Sequence, residues 1–278
     1  MPGVAADMLF RRGWLPHSPH AAIVICHGFG EHSGRYEHVG RWLARHGFAV
    51  HAYDHLGHGR STGRRAHSER FDDFLDDLGC MVERVGAESA GLPVFVFGHS
   101  MGGLVAASFA RERSPELAGV VLSAPALGLP PNATQFKVRL AGWLRKLWPT
   151  ANVSAGIDPK DLCSDTVVVR DYVSDPLVQS RMSVSLACEL FERIERTGAG
   201  GADLALPLLV MHGDADAICP PQASEAFARS APRGRLLRYR ELRHEILNEP
   251  SRESLLGDLR GWLEETLMEQ SRNAGSAS

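Results

Sequence analysis

At 278 residues, 44% of them hydrophobic and 23% charged, the chain can form one large α/β domain or such a core with an inserted subdomain. Thirty Lys and Arg against 33 Asp and Glu give a formal net charge of −3, which removes global charge as a reason to expect a nucleic-acid partner. Five scattered cysteines without CxxC or Cys/His spacing read as free thiols of a reducing compartment. The segment Met1–Trp14 lacks the pattern of a secretory leader, and no run nears the roughly 18 apolar residues of a bilayer span. The expectation is a cytoplasmic protein, with peripheral membrane contact left open.

Met8–Leu15 suits one or two antiparallel edge strands. Ala21–Cys26 and Phe48–Tyr53 are apolar on both faces, as strands of a buried parallel sheet are, and Tyr36–His46 between them has helical spacing. Helix Phe71–Glu88, strand Val94–Phe97, helix Met101–Arg113 and strand Val120–Ser123 continue the alternation. From Ala126 to about Gly200 the rhythm breaks into helical pieces with no core strand, bounded by Pro130-Pro131 and by Gly198 to Gly201. It resumes with strand Leu208–Met211, helix Pro221–Ser230, strand Leu236–Tyr239 and helix Glu253–Gln270. The pattern predicts a mostly parallel central sheet with helices on both faces, a core of residues 1–125 and 201–270, and a helical cap inserted at 126–200. The small, polar tail Ser271–Ser278 is predicted to be disordered.

Gly98-His99-Ser100-Met101-Gly102 lies between a strand and a helix, the setting of the Gly-x-Ser-x-Gly nucleophile elbow of α/β-hydrolases. Glycines two residues either side of Ser100 relieve the crowding of a strained turn, and the helix start turns backbone N–H groups towards a developing charge. A serine hydroxyl needs a base, and the base an orienting carboxylate. His244, between the last strand and the last helix, is the base. Asp214 and Asp216, both just after Leu208–Met211, are not separated by spacing alone. The oxyanion donors expected are the Met101 N–H and, from His27-Gly28-Phe29-Gly30 after the first core strand, the Phe29 N–H. His27 and Asp54 read as braces of their loops. His55 and His58 lack a third ligand at metal-binding spacing, so neither a metal nor a cofactor is expected.

These blocks resemble the monoacylglycerol lipase and lysophospholipase-like α/β-hydrolase family. The resemblance rests on residues 27–36 (HGFGEHSGRY), on 54–61 (DHLGHGRS), on 91–94 leading into 98–103, and on Phe136-Lys137-Val138, Gly156-Ile157-Asp158 and Ser174-Asp175-Pro176-Leu177. It spans roughly Gly13 to Trp262. It implies a serine esterase acting on monoacylglycerols through Ser100, His244 and Asp216, since the pattern around Gly213–Cys219 places the acid at Asp216. Lysophospholipids or short-chain esters are the alternative substrates, and a non-turnover receptor on a hydrolase scaffold is the alternative of another class. Phe29 stands where the mammalian members carry a small residue. Cys219 matches a family cysteine near the site, with no duty in the mechanism.

In Gln135–Trp148, Phe136, Leu140, Trp143, Leu144 and Leu147 form a helical apolar stripe, with Lys137, Arg139, Arg145 and Lys146 largely off it. Two readings stand side by side: a cap helix packed on the core, its apolar stripe at the substrate, or an interfacial helix touching a membrane or micelle.

Overall fold

The computed structural model describes residues 8–89, 91–113, 116–129 and 135–276, and within these leaves out the side chains of 135–140 and 274–276. The strands are β1 (Arg11–Trp14), β2 (Ala21–Cys26), β3 (Phe48–Tyr53), β4 (Val94–His99), β5 (Gly119–Ser123), β6 (Asn152–Ser154), β7 (Arg181–Ser183), β8 (Leu208–Gly213) and β9 (Gly234–Tyr239). The helices are α1 (Glu37–Arg45), α2 (Asp72–Glu88), α3 (Met101–Glu112), α4 (Gln135–Leu147), α5 (Thr166–Ser174), α6 (Val184–Gly198), α7 (Pro221–Ser230) and α8 (Arg252–Ser276). Seven strands form one sheet in the order β1-β3-β2-β4-β5-β8-β9. All pairs are parallel except β1 on β3, the antiparallel edge that Met8–Leu15 predicts.

Period-two side-chain alternation divides the core into two layers. Ala22, Val24 and Cys26 of β2 and Val94 and Val96 of β4 face one cluster, with α2, α3 and α7. Ala21, Ile23 and Ile25 with Phe95 and Phe97 face the other, closed by Val39 and Leu43 of α1 and by Leu255, Leu256, Leu259 and Leu263 of α8. Helices therefore cover both faces, and β2, β3, β4, β5 and β8 are buried along their whole length.

Between β5 and β8 the chain leaves the sheet. β6 and β7 pair only with each other, in a separate antiparallel ribbon. α6 returns to the core: Leu186, Leu190 and Ile194 join the first cluster, and Arg193 reaches Asp72 and Glu112. At the other end of the chain the structure departs from the sequence reading. α8 continues to Ser276 in place of a disordered tail from Ser271. Polar side chains extend it: Gln270 donates to the Ala118 carbonyl at 2.8 Å and Ser271 to the Leu267 carbonyl at 3.0 Å.

Candidate active site

The site lies at the carboxyl ends of β2, β4 and β8. Ser100 is the single residue between β4 and α3, at φ 52° and ψ −116°, a strained conformation for a residue with a side chain. A Cβ on Gly98 would sit 2.3 Å from the Gly102 carbonyl oxygen, and one on Gly102 only 2.1 Å from that of Cys26. The first turn of α3 thus leaves no room for a side chain at Gly98, and its close approach to β2 leaves none at Gly102. The Ser100 N–H is fixed to the Ser123 carbonyl at 3.0 Å, and buried Cys219 lies beside the site. Burial and the Asp216 charge hold that thiol well above its usual pKa, so Cys219 is a neutral neighbour.

The loop after β2 packs against this turn. His27 Nδ1 donates to the Gly28 carbonyl at 2.7 Å, while its Nε2 accepts the His55 N–H at 2.9 Å, which makes His27 a brace. Asp54 is a brace too, accepting the N–H groups of Ser33 and Arg60, each at 2.7 Å. His55 and His58 pack their buried rings edge-on against Phe74. Among the described residues, no group of three or more His, Cys, Asp or Glu could hold a metal ion. Among the same residues, neither the Phe29 nor the Met101 N–H has an intramolecular acceptor, leaving both free for a substrate oxygen.

Asp216 and His244 meet across the ends of β8 and β9. His244 Nδ1 donates to Asp216 Oδ2 at 2.7 Å. The other carboxylate oxygen accepts the N–H groups of Ile218 and Cys219 at 2.8 and 2.9 Å. Burial by itself would raise the Asp216 carboxyl, but the His244 charge and the hydrogen bonds from His212, His244 and Cys219 hold it well below the usual carboxylate range. Burial would lower His244, yet the charge and hydrogen bond of Asp216 outweigh it and raise its proton affinity above the ordinary 6.5. Asp214 lies elsewhere, paired with Arg238 at 2.6 Å.

One supporting residue escapes the sequence reading. His212, the fifth residue of β8, donates from Nε2 to Asp216 Oδ2 at 2.9 Å, its other nitrogen on the Ser224 hydroxyl at 2.7 Å. Its only sequence signal is a histidine four positions before the acid.

Ser100, His244, His99, Gly28 and Phe29 line one cavity with Ile157, Leu162 and Tyr172, which come from the 126–200 excursion. Its volume is only about 20 Å³, room for about one water molecule. Of the α4 stripe, the described side chains Trp143, Leu144 and Leu147 do not line the cavity. Trp143 and Leu147 are 59% and 50% exposed, Trp148 adds 62%, and Leu144 is half-buried. The reason is that α4 is tied to α6 through Arg145, which pairs with Glu189 and Glu192. Phe136 and Leu140 lie outside the described side chains.

A mostly parallel sheet carrying a strained serine, a buried His–Asp pair and two unpaired backbone amides defines an α/β-hydrolase. The family described as serine aminopeptidase, S33 matches residues 17–251, and the chain belongs to it. The chain is 34% identical over 265 residues to a monoacylglycerol lipase of Mycolicibacterium smegmatis, covering 94% of each. It is 35% identical over 278 residues to the human monoglyceride lipase, covering 97% of this chain and 90% of the relative. Among solved structures, the monoacylglycerol lipase of Paleococcus ferrophilus superposes with a TM-score of 0.85 at 33% identity, covering 93% of this chain and 99% of the other.

Proposed function

We propose that this hydrolase cleaves the ester bond of monoacylglycerols, with Ser100 as nucleophile, His244 as general base and acid, and Asp216 as the group that orients His244. The observation that carries the reading is the 2.7 Å contact from His244 Nδ1 to Asp216, which commits that nitrogen to the acid and leaves Nε2 for Ser100, the two residues lining one cavity. For reaction the Ser100 hydroxyl takes His244 Nε2 as its hydrogen-bond partner. Its oxygen attacks the ester carbonyl, its proton passes to Nε2, and the Phe29 and Met101 N–H groups take the oxyanion. The tetrahedral adduct collapses, and glycerol leaves with the proton from His244. Water then attacks the acyl-enzyme, His244 takes its proton and returns it to Ser100, and the fatty acid departs. The lipase relatives favour a monoacylglycerol over other esters.

Residues 126–200 act as a cap in this reading. Pockets for small-molecule ligands run to roughly 300–1,000 Å³, so a cavity of about 20 Å³ must widen before an acyl chain fits. α4 is the element to move and to meet lipid, since Trp143, Leu147 and Trp148 face outward beside exposed Lys146. No helix among the described residues is long and apolar enough to cross a membrane.

Ser100→Ala is expected to abolish labelling by a fluorophosphonate probe and to lower ester turnover by about 10⁴-fold or more. Labelling retained in that variant refutes the assignment. Turnover of a monoacylglycerol chain-length series, measured beside lysophosphatidylcholine, tests the substrate class.

A further inference from the structure

The loops that supply the oxyanion donor and the base are joined by a buried ion cluster outside the triad. Glu31 Oε1 accepts the Gly28 N–H and the Tyr36 hydroxyl, each at 2.6 Å. Its Oε2 accepts from Arg35 Nη1 at 3.0 Å. Arg35 also grips Glu245, the residue after His244: Nη1 donates to one carboxylate oxygen and Nη2 to the other at 2.7 Å. Asn248 adds a 2.8 Å bond to Glu245, and the face of Tyr172 lies 4.8 Å from the guanidinium. Glu31 and Glu245 are 4% and 5% exposed.

Stability alone does not account for such a cluster, because replacing buried ion pairs by apolar side chains is often neutral or stabilising. Its geometry points to the reaction. The C=O and N–H of a trans peptide point in opposite directions. With the Gly28 carbonyl held by His27 at 2.7 Å, the Phe29 N–H is turned away from His27. Glu31 holds the preceding N–H, so Gly28 is gripped on both sides. The fit is close: a Cβ on Gly28 would lie 3.0 Å from Glu31 Oε1 and 3.2 Å from the Ser100 Cβ.

Charge adds to this. Burial would raise the Glu31 carboxyl, but Arg35, with His99 and His27, outweighs it and holds it at about 2. Two carboxylates on one guanidinium leave a net negative charge near His244, the group that becomes cationic when it takes the serine proton.

We propose that Glu31 is a positioning residue for the reaction: it fixes the Gly28–Phe29 peptide as oxyanion donor and, through Arg35 and Glu245, holds that donor at one spacing from His244. This rests on the assignment of Ser100, Phe29 and His244 made above.

The test compares p-nitrophenyl butyrate with its thiono (C=S) analogue in the full chain, because a sulfur anion gains far less from oxyanion donors. In Glu31→Ala, kcat on the oxoester should fall about 100-fold with KM little changed, as when one oxyanion donor is lost. The oxo-to-thiono rate ratio should fall by about tenfold, because the lost stabilisation is specific to oxygen. Glu31→Gln keeps an acceptor for the Gly28 N–H without the charge, and should lie between wild type and Glu31→Ala. If Glu31→Ala does not fold, Glu31→Gln and Tyr36→Phe are read in the same way. An unchanged ratio in variants that fold, with equal losses on both esters or a loss in KM alone, overturns the proposal. Wild-type protein that a fluorophosphonate does not label at Ser100 overturns instead the assignment beneath it.

Discussion

The loops at the carboxyl edge of the sheet and the helical excursion at 126–200 are held in different ways. At the sheet edge, polar groups are buried and multiply bonded: Asp216 accepts from His244, His212, Ile218 and Cys219, and Arg35 spans Glu31 and Glu245. On the excursion, α4 is fastened by half-exposed Arg145 to Glu189 and Glu192 and presents Trp143, Leu147 and Trp148 to solvent. Under the proposed function the contrast teaches a division of labour. The groups proposed for proton transfer cannot move without leaving charges unpaired in a low-dielectric site. The element proposed to admit a substrate must move, and exposed ion pairs, worth about 0–1 kcal/mol each, permit that.

The largest expected effect breaks the rigid side. Asp216→Asn should lower kcat by about 10⁴-fold by presenting the wrong partner to His244, with little change in KM. The pH profile sharpens the same point. His244 must be neutral to accept a proton, and Asp216 raises its pKa. Wild-type kcat/KM should therefore climb with pH through a midpoint above 6.5, and the residual activity of Asp216→Asn should climb through a lower one. A wild-type midpoint below 6.5 would mean that the Asp216–His244 contact does not govern the base.

A second comparison makes one substitution on both sides. Gly102→Ala forces a Cβ to within 2.1 Å of the Cys26 carbonyl and should cost about 3 kcal/mol of unfolding free energy. Gly142→Ala on α4 meets nothing within 4 Å and should stabilise the protein by up to about 1 kcal/mol through helix propensity. Denaturant unfolding of both variants reads the two signs directly.

The smallest effect belongs to the α4 side. Trp143→Ala combined with Trp148→Ala should reduce turnover of micellar monoacylglycerol by about tenfold, equivalent to about 1.4 kcal/mol of lost lipid contact, and leave a soluble short-chain ester unaffected. Equal losses on both substrates would show that α4 supports the site and does not touch lipid.

Much of the fold was legible because apolar runs and their punctuation are local signals. Ala21–Cys26, Phe48–Tyr53 and Pro221–Ser230 agree with the observed elements residue for residue, whereas the end of α8 was misread because Gln270 and Ser271 find partners that composition does not reveal. The α4 stripe was legible as a stripe, but not the direction it faces, which depends on the docking of Arg145 against α6.

By itself the sequence determined the serine turn, since Gly98 and Gly102 flank Ser100 within five residues, and it determined that a carboxylate and a histidine follow the last two core strands. Spacing left the choice between two carboxylates open, the family resemblance pointed to Asp216, and the tertiary structure shows where each of them turns. Asp214 and Asp216 are two residues apart, but one turns to Arg238 and the other to His244 and His212. Tertiary structure also decided that Arg35 and Glu245, 210 positions apart, share a bond. Spacing along the chain encodes which residues can share a helix face or a turn, whereas contacts between separate loops exist only once the sheet has brought its strand ends to one edge.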